Sequence, residues 1–271
     1  MSEIEETFSR LAAQKEGALI AYVTGGYPNP KTTPQIAEAL IKGGADMLEL
    51  GIPFSDPIAD GPSIQASSTA ALTAGTTPKI VLEIASKIKK KHGVPILIMT
   101  YYNPVFRMGV REFMDHAWRS DVDGVVIPDL PVEEADEYKE IAEAYGVDTI
   151  FLAAPSTTIE RLKRIINYSS GFLYLVSVFG VTGARERILD TTISLVKNFS
   201  SYTKGRIPMS VGFGISKPEH VKSIIEAGAD GVIVGSAFVN IVSSNLHDFS
   251  QLLRELSNYA SSLKKASVKR H

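Results

Sequence analysis

Short apolar runs rich in β-branched residues alternate with longer helical stretches along the whole chain. The runs are almost continuously apolar, which is typical of strands that are covered on both faces. Strands are predicted at 18–24, 47–50, 95–100, 124–128, 149–153, 172–177, 207–211 and 231–235. Helices are predicted between them at 31–43, 62–73, 78–91, 133–145, 158–167, 189–200 and 217–227. This alternation indicates parallel βαβ units.

An aspartate recurs at or just before the start of several predicted strands. The segments GGADML, DVDGVV, GVDTIF and AGADGV carry it, mostly soon after a glycine that ends a helix. Eight repeats of one αβ unit favour a closed barrel over an open doubly wound sheet, whose dinucleotide-binding fingerprint is missing. No linker or change in composition divides the chain. We therefore predict an α/β protein: a single (β/α)8 TIM barrel domain over 1–271 with an additional N-terminal helix.

Composition and charge narrow the classes of function. The chain has 28 basic and 30 acidic residues, so no global field attracts nucleic acid or anionic membranes. It has no cysteine, which excludes disulfides, thiolate metal sites and a cysteine nucleophile. The N-terminus is charged and amphipathic, unlike a signal peptide, and no apolar run approaches the ~18 residues that span a bilayer. We expect a soluble, cytoplasmic protein that binds neither nucleic acid nor membrane, with a solvated basic tail over about 264–271.

Two predicted strands end in glycine turns that lead into helices. The seventh ends in SVGFGISKPEH, where Ser216 and Glu219 have capping-box spacing, and the eighth ends in IVGSAFV, where Gly235 and Ser236 open a helix. Glycine lets backbone N–H groups approach an anion, and the loops after strands seven and eight of barrels often bind phosphate. Either turn alone is more simply an ordinary tight turn, but the pair favours a phosphate site. Loop 179–186, after the sixth strand, is either a mobile lid or a surface loop without a role.

The positions of the histidines and lysines leave carboxylates as the candidate chemical groups. All five histidines lie in helical or terminal segments, which disfavours a zinc site or a histidine acid/base pair. No lysine lies within the eight strands, which argues against a Schiff-base aldolase. In the second strand, alternation places Glu49 on the same face as Met47. If that face is the barrel interior, burial should raise the pKa of Glu49 and make it a proton carrier; an outward Glu49 paired with a lysine is the alternative.

The loop after the second strand carries two further carboxylates, Asp56 and Asp60, among prolines. Pro53 and Pro57 precede Asp60, and Gly61-Pro62 follows it. The prolines restrict the loop and hold a carboxylate in place at a lower entropic cost. Asp60 is therefore a second candidate for the chemistry, unless it only caps helix 62–73. Asp56 is as readily an ordinary turn residue.

The segment LELGIPFSDPIADGPSIQASS closely resembles the signature of the tryptophan synthase α chain family. The similarity extends over nearly the whole sequence, through MTYYNPVFRMGVREF, GVVIPDLPVEEADEY, FLAAPSTT, FLYLVSVFGVTGARE and GFGISKPEHV in order. The resemblance implies a lyase of tryptophan biosynthesis that cleaves indole-3-glycerol phosphate to indole and glyceraldehyde 3-phosphate in a retro-aldol reaction. It also implies an α2β2 heterotetramer in which this chain carries no cofactor and no metal, and the partner β chain holds pyridoxal phosphate.

The resemblance further assigns roles to individual residues. Glu49 would move protons at C3 of the indole and at the glycerol hydroxyl, and Asp60 would accept the indole N–H and stabilise the charge that develops there. Tyr174 would line the site, and Thr182 on the lid could contact Asp60. The phosphate contacts would be Gly183, Phe213, Gly214, Gly235 and Ser236, and the apolar walls of the indole would include Tyr22, Ile64, Ile127 and Phe213.

Two departures from the family pattern and two competing functions stay open. Position 22 is tyrosine where phenylalanine is usual, and Gly26-Tyr27-Pro28 stands where Gly-Asp-Pro is common. The chain could be a non-catalytic or weakly active barrel that activates a β chain, or another phosphate-binding barrel enzyme. The loops IPFSDP (52–57) and YYNPVF (101–106) place apolar residues and prolines after strands, so they are predicted to dock the β chain unless they pack on their own barrel.

Overall fold

The computed structural model describes residues 1–176, 185–212 and 214–269, apart from the side chains of 185–188. The strands are Ala18–Thr24 (β1), Met47–Gly51 (β2), Ile96–Met99 (β3), Gly124–Val126 (β4), Asp148–Ile150 (β5), Leu152–Ala153 (β6), Leu173–Val176 (β7), Met209–Gly212 (β8) and Gly231–Val234 (β9). The first six helices are Glu3–Ala13 (α1), Thr33–Lys42 (α2), Pro62–Thr73 (α3), Pro78–His92 (α4), Tyr102–Met108 (α5) and Val110–Arg119 (α6). The other six are Asp136–Tyr145 (α7), Ile159–Tyr168 (α8), Arg185–Thr203 (α9), Pro218–Glu226 (α10), Ser236–Ser244 (α11) and Phe249–Ala266 (α12).

The strands of the described chain form one parallel sheet that closes on itself. Its order is β5-β4-β3-β2-β1-β9-β8-β7-β6, so the two ends of the sheet are β5 and β6. These two segments are separated only by Phe151, whose carbonyl accepts a hydrogen bond from the Tyr174 N–H at 3.1 Å. They are therefore two parts of one strand, and the sheet is an eight-stranded barrel with helices outside. The predicted (β/α)8 fold is confirmed.

Most predicted elements are present, and three helices are not anticipated by the sequence pattern. The predicted 133–145 helix divides into a 3-10 turn at Val132–Glu134 and α7. The predicted 189–200 helix extends over Arg185–Thr203. The unanticipated helices are α5, α6 and α12. Helix α5 has only seven residues and includes a proline, so its segment has the sequence pattern of a loop.

The predicted N-terminal helix is present as α1 and closes the bottom of the barrel. Ser2 and Glu5 form its capping box. Ile4 is fully buried, and its Cδ1 lies 3.0 Å from the position that a Cβ on Gly124, at the start of β4, would take. Phe8 packs on Phe172 with ring centroids 5.7 Å apart. Helix α1 therefore covers the N-terminal ends of the strands, opposite to the end at which barrel active sites lie.

The recurring aspartates join neighbouring strands at this same bottom end. In three of the four segments the carboxylate accepts a hydrogen bond from a backbone N–H near the start of the strand beside it. The pairs are Asp46 with Leu19 at 2.8 Å, Asp123 with Ile96 at 2.7 Å and Asp230 with Met209 at 2.9 Å. Burial raises the pKa of Asp123 and Asp230, and the donated N–H bonds oppose that rise. We infer that the repeated aspartates stabilise the barrel, because residues at the N-terminal ends of the strands in this fold contribute to stability and not to catalysis.

The basic C-terminus differs from the solvated tail predicted over 264–271. Helix α12 continues to Ala266, and Lys264 on it is only 17% exposed. The Lys264 Nζ pairs with Asp46 at 2.9 Å and with Glu16 at 3.0 Å, and Val268 forms an antiparallel bridge with Glu16. The expectation of a solvated tail is wrong for Lys264, because this cation neutralises carboxylates at the bottom of the barrel, whereas Lys265, Val268 and Lys269 are exposed. Residues 270–271 of the predicted tail lie outside the described residues.

Replacing Lys264 by alanine is expected to lower the free energy of unfolding by roughly 2 kcal/mol, because two carboxylates lose a partly buried cationic partner. Replacing its exposed neighbour Lys265 by alanine is the matched control and should change stability by less than about 0.5 kcal/mol. Urea unfolding of the two variants measures the difference. Equal stabilities would show that the Lys264 cluster is not stabilising.

Candidate active site

Glu49 lies inside the barrel. It pairs in register with Tyr22 of β1 and with Leu97 of β3, and its side chain is 1% exposed. Neither carboxyl oxygen has a hydrogen-bond partner in the described part of the chain. The alternative of an outward glutamate paired with a lysine is therefore wrong. A buried carboxyl group without a partner is costly to keep in a fold, and such groups concentrate at functional sites.

Burial determines the protonation of Glu49. Desolvation raises the pKa of its carboxyl to about 8, and the negative charge of Asp60 contributes to the rise. At neutral pH the group is therefore mainly the neutral acid, which can donate a proton. The sequence-based expectation of a raised pKa at this position agrees with the structure.

Asp60 approaches the same interior from the loop between β2 and α3. Its Oδ1 is buried without a partner. Burial raises the pKa of Asp60 to about 6, while the nearby hydroxyl of Tyr101 favours the ionised form. The alternative role as a helix cap is wrong, because Gly61 is the N-cap of α3 and makes no side-chain cap bond. Asp56, by contrast, is an exposed turn residue that accepts a hydrogen bond from Ser55 at 2.5 Å.

Two buried tyrosines lie close to these carboxylates. Burial raises the pKa of Tyr22, and the charges of Asp60 and Glu49 contribute to this rise. The pKa of Tyr174 is likewise raised by burial first and then by the charge of Glu49. Tyr22 Oη lies 3.4 Å from Thr24 Oγ1 and 2.2 Å from the position that a Cβ on Gly51 would take. The Tyr22 hydroxyl, which is the departure from the family pattern, thus has a polar neighbour. It fits there because Gly51 has no side chain.

The glycine turn after β9 lies beside this cluster. Gly235 is the N-cap of α11, which begins at Ser236 as predicted. A Cβ on Gly235 would lie 3.3 Å from the Tyr22 ring, so this helix N-terminus lies beside the residue that pairs in register with Glu49. Gly214, in the turn after β8, has a φ of +75°, a conformation that favours glycine. Backbone N–H groups at a helix N-terminus are a ready site for an anion.

The capping box predicted in the turn after β8 is wrong. Helix α10 begins at Pro218 and has Lys217 as its N-cap, without a side-chain cap bond. The Ser216 carbonyl instead accepts a hydrogen bond from the Tyr259 hydroxyl at 2.7 Å. Proline is favoured at the first helical position because the N–H that it lacks would have no partner there and its φ already suits a helix.

Comparison with known proteins gives one consistent family. The family model of the tryptophan synthase alpha chain matches residues 8–268. The tryptophan synthase alpha chain of Methanoregula boonei is 44% identical over 267 residues, covering 98% of this chain and 99% of the relative. The alpha subunit structure from Legionella pneumophila has a TM-score of 0.90 at 34% identity and covers 98% of both chains. A structure of the α2β2 tryptophan synthase complex from Pyrococcus furiosus matches at TM-score 0.84 and 44% identity, covering 92% of this chain and 98% of that one.

This chain belongs to the tryptophan synthase alpha chain family. The resemblance inferred from the sequence blocks is confirmed, as is the expectation of a lyase. The family acts in tryptophan biosynthesis, where the alpha chain cleaves indole-3-glycerol phosphate. Among the described helices, none is long and apolar enough to cross a membrane. Over the same residues, no group of three or more histidine, aspartate or glutamate side chains converges in a way that could hold a metal ion.

The site residues inferred from the family resemblance are brought together only in part. Ile64 is buried in the first turn of α3, and Ile127 is buried directly after β4. Ile127 therefore lies directly after a strand, and Ile64 lies in the first turn of the helix that follows the loop after β2. Thr182, Gly183 and Phe213 lie outside the described residues, and so does most of the predicted lid.

Sequence reasoning missed Tyr101, which it placed only in a predicted docking loop. Tyr101 is buried, lies two residues after the end of β3, and accepts a hydrogen bond from the Ala59 N–H of the loop that carries Asp60. A signal was present in the sequence, since an aromatic residue with a polar tip directly after a barrel strand is a candidate site residue. The run of apolar and aromatic residues around it concealed this signal.

Proposed function

We propose that this chain cleaves indole-3-glycerol phosphate by a retro-aldol reaction in which Glu49 transfers the protons and Asp60 stabilises the indole ring. The observation that supports the proposal most is the pair of carboxyl groups with different environments in one cavity. The pKa of Glu49 is raised to about 8 and that of Asp60 to about 6. Near pH 7 Glu49 is therefore mainly neutral, as a general acid should be, and Asp60 is mainly ionised, as a group that stabilises positive charge should be.

One carboxyl group can carry out both proton transfers of the reaction. Neutral Glu49 donates its proton to C3 of the indole, which gives a ring with positive charge at its nitrogen. The bond between C3 and the glycerol carbon then breaks, and its electron pair returns to the ring. The carboxylate of Glu49 takes the proton of the glycerol hydroxyl as that carbon becomes an aldehyde. Glu49 thereby ends in its starting state, and the products are indole and glyceraldehyde 3-phosphate.

Ionised Asp60 would accept the indole N–H while the positive charge develops. An anion that is already oriented toward the developing charge stabilises the transition state more than the ground state. The half-buried position of Asp60 favours this effect, because a low local dielectric strengthens the interaction. Tyr22, Ile64 and Ile127 would line the apolar end of the cavity, and Tyr174 would lie beside Glu49.

The phosphate group would bind at the turns after β8 and β9. The first N–H groups of α11, which Gly235 and Ser236 begin, support this part of the proposal. Gly235 contacts the ring of Tyr22, and Tyr22 pairs in register with Glu49, so one substrate can span both ends. Gly214, Gly183 and Phe213 would complete the phosphate site.

A role restricted to the activation of a β chain is not favoured. A barrel that had lost turnover would not need to retain an unpaired glutamate in its interior, since such a group destabilises the fold. Another type of phosphate-binding barrel enzyme would have a similar helix N-terminus after β9 but no use for Asp60 beside Glu49. The test is indole release from indole-3-glycerol phosphate by the full chain, with and without a β chain. Release of no indole under either condition would refute the proposal.

We further propose that the chain docks a β chain that carries pyridoxal phosphate, in a cytoplasmic α2β2 assembly. The loop after β2 and helix α5, which follows β3, present large apolar side chains to solvent at the mouth of the barrel: Ile58 is 83% exposed and Phe106 is 67% exposed. Such side chains near an active-site mouth are typical of an interaction surface. The α2β2 complex from Pyrococcus furiosus, whose alpha chain is 44% identical, supports this partner.

Replacing Phe106 by serine is expected to weaken association with the β chain by at least about tenfold, because a large exposed aromatic anchor is lost. Trp118 is the matched control: it is also exposed, at 56%, but lies at the end of α6, away from the barrel mouth. Titration calorimetry of each variant with a β chain measures the two affinities. If the change at Trp118 weakened binding more than the change at Phe106, the proposed docking surface would be wrong.

A further inference from the structure

The loop that carries Asp60 has a defined attachment to the neighbouring strand end. It leaves β2 at Ile52, whose N–H bonds to the Met99 carbonyl at 2.8 Å, and enters α3 at Pro62. Between these points the Tyr101 Oη accepts a hydrogen bond from the Ala59 N–H at 3.0 Å. The same hydroxyl lies close to the carboxyl group of Asp60, and the two groups influence each other's pKa. One side chain thus bonds to the loop at Ala59 and lies beside the residue that follows it.

Tyr101 is itself held by its surroundings. Its ring is buried and packs on Phe54 of the same loop, with centroids 5.3 Å apart. The backbone on either side is fixed as well, because the Thr100 N–H bonds to the Val126 carbonyl at 3.0 Å and the Tyr102 N–H bonds to Asp129 Oδ1 at 2.8 Å. A hydroxyl on a side chain with a fixed ring and a fixed backbone can position its partners with little loss of conformational entropy.

We propose that Tyr101 is a positioning residue, which clamps the loop after β2 to the end of β3 and so holds Asp60 against the indole end of the cavity. The inference rests on the role proposed above for Asp60. Tyr101 acts through the loop and not on the substrate: its ring packs on Phe54, and its hydroxyl accepts a hydrogen bond from the Ala59 N–H, next to Asp60. Its loss should therefore affect the transition state more than the binding of the phosphate group.

Amide hydrogen exchange in the full chain tests the clamp without any catalytic readout. Tyr101→Phe keeps the ring and its packing on Phe54 but removes the hydroxyl. We expect the Ala59 amide to exchange at least about tenfold faster in this variant, because its acceptor is lost. The Thr100 amide, which bonds to Val126, should not change. Tyr145→Phe, at the end of α7, is the control, and its Ala59 exchange should match that of the parent. Unchanged exchange at Ala59 in Tyr101→Phe would overturn the clamp.

Turnover of the same variants tests the consequence for Asp60. In Tyr101→Phe, kcat should fall by about 10²-fold, the effect of a small misplacement of a catalytic group, while KM should change by less than about threefold. Faster exchange at Ala59 with an unchanged kcat would overturn the link between the clamp and Asp60. A parent chain that released no indole would refute the proposed function, while the exchange result would still decide the clamp.

The pH profile gives a further readout that a purely structural role would not change. The nearby hydroxyl of Tyr101 lowers the pKa of Asp60, so its removal should move the acid limb of kcat/KM to higher pH. The other titratable groups around Asp60 and its clamp are Glu49 on β2, Tyr22 on β1, Tyr174 on β7 and Asp129 after β4. These groups are unchanged in Tyr101→Phe. An acid limb at the parent position would contradict a position of the Tyr101 hydroxyl beside Asp60.

Discussion

Replacing Glu49 by glutamine should reduce indole formation by about 10⁴-fold, the upper end of what general acid–base catalysis contributes. Glutamine has nearly the same shape but no proton to donate at C3 and no carboxylate to accept the proton of the glycerol hydroxyl. Binding of a non-cleavable phosphate-bearing analogue should stay within about threefold, because the turns after β8 and β9 are untouched. Single-turnover measurement of indole release, together with titration calorimetry of the analogue, separates the two effects.

The same substitution has an expected consequence for stability that does not involve substrate. The pKa of Glu49 is raised by burial, and by the charge of Asp60, from an ordinary value of 4.5 to about 8. Between these two pH values the folded state keeps a proton that the unfolded state has lost, so the stability of the parent chain falls as pH rises from about 4.5 to about 8. Glutamine cannot ionise, so Glu49→Gln should be more stable than the parent at pH 8.5 and similar to it at pH 4.

Glu83 on the exposed face of α4 supplies the control for both measurements. Glu83→Gln should keep the turnover and the pH dependence of unfolding of the parent chain. Substantial indole release by Glu49→Gln would remove Glu49 from the mechanism. A parent chain whose stability did not fall over this pH range would contradict the raised pKa.

The strands were predictable from sequence to within two residues because each is buried on both faces and therefore almost continuously apolar. The interruption at Phe151, between β5 and β6, was not predictable, because it depends on how the barrel closes and not on the local pattern. The aspartate repeat was recognised, but its role was not. Only the pairing of neighbouring strands shows that Asp46 accepts a hydrogen bond from Leu19, a residue 27 positions away in sequence.

A site residue was predictable from sequence where only two orientations of its side chain were possible. Glu49 in a buried strand could face either the barrel interior or the helices around it, and alternation together with burial favoured the interior. The capping box at Ser216 and Glu219 failed because this motif requires the backbone to enter the helix at Ser216, whereas Pro218 begins it. Lys264 was placed in a solvated tail because no local pattern shows that Asp46 and Glu16 lie beside it.

Tyr101 shows a different limit of sequence reasoning. Its segment was predicted to dock a partner, and Phe106, five positions further on, is indeed exposed, yet Tyr101 itself is buried against Phe54 and Ala59. Tyr101 is the N-cap of α5, whereas Phe106 lies on the exposed face of that helix. The segment has the sequence pattern of a loop, and such a pattern has no fixed period from which orientation can be inferred.

Asp60→Asn should reduce indole formation by about 10²–10³-fold, the usual effect of removing one oriented group from a developing charge. Asparagine keeps the size of the side chain and can still accept a hydrogen bond from the indole N–H, so the loss of activity measures mainly the contribution of the negative charge.

The pH profile of Asp60→Asn should change at both limbs. The charge of Asp60 also raises the pKa of Glu49, so the alkaline limb of the residual activity should move below pH 8. The acid limb near pH 6, which reports the ionisation of Asp60, should disappear. Asp121→Asn, an exposed position at the bottom of the barrel, should keep both limbs. An acid limb that persisted in Asp60→Asn would assign that ionisation to another group, and full activity would leave Asp60 without the electrostatic role that its half-buried position beside Glu49 supports.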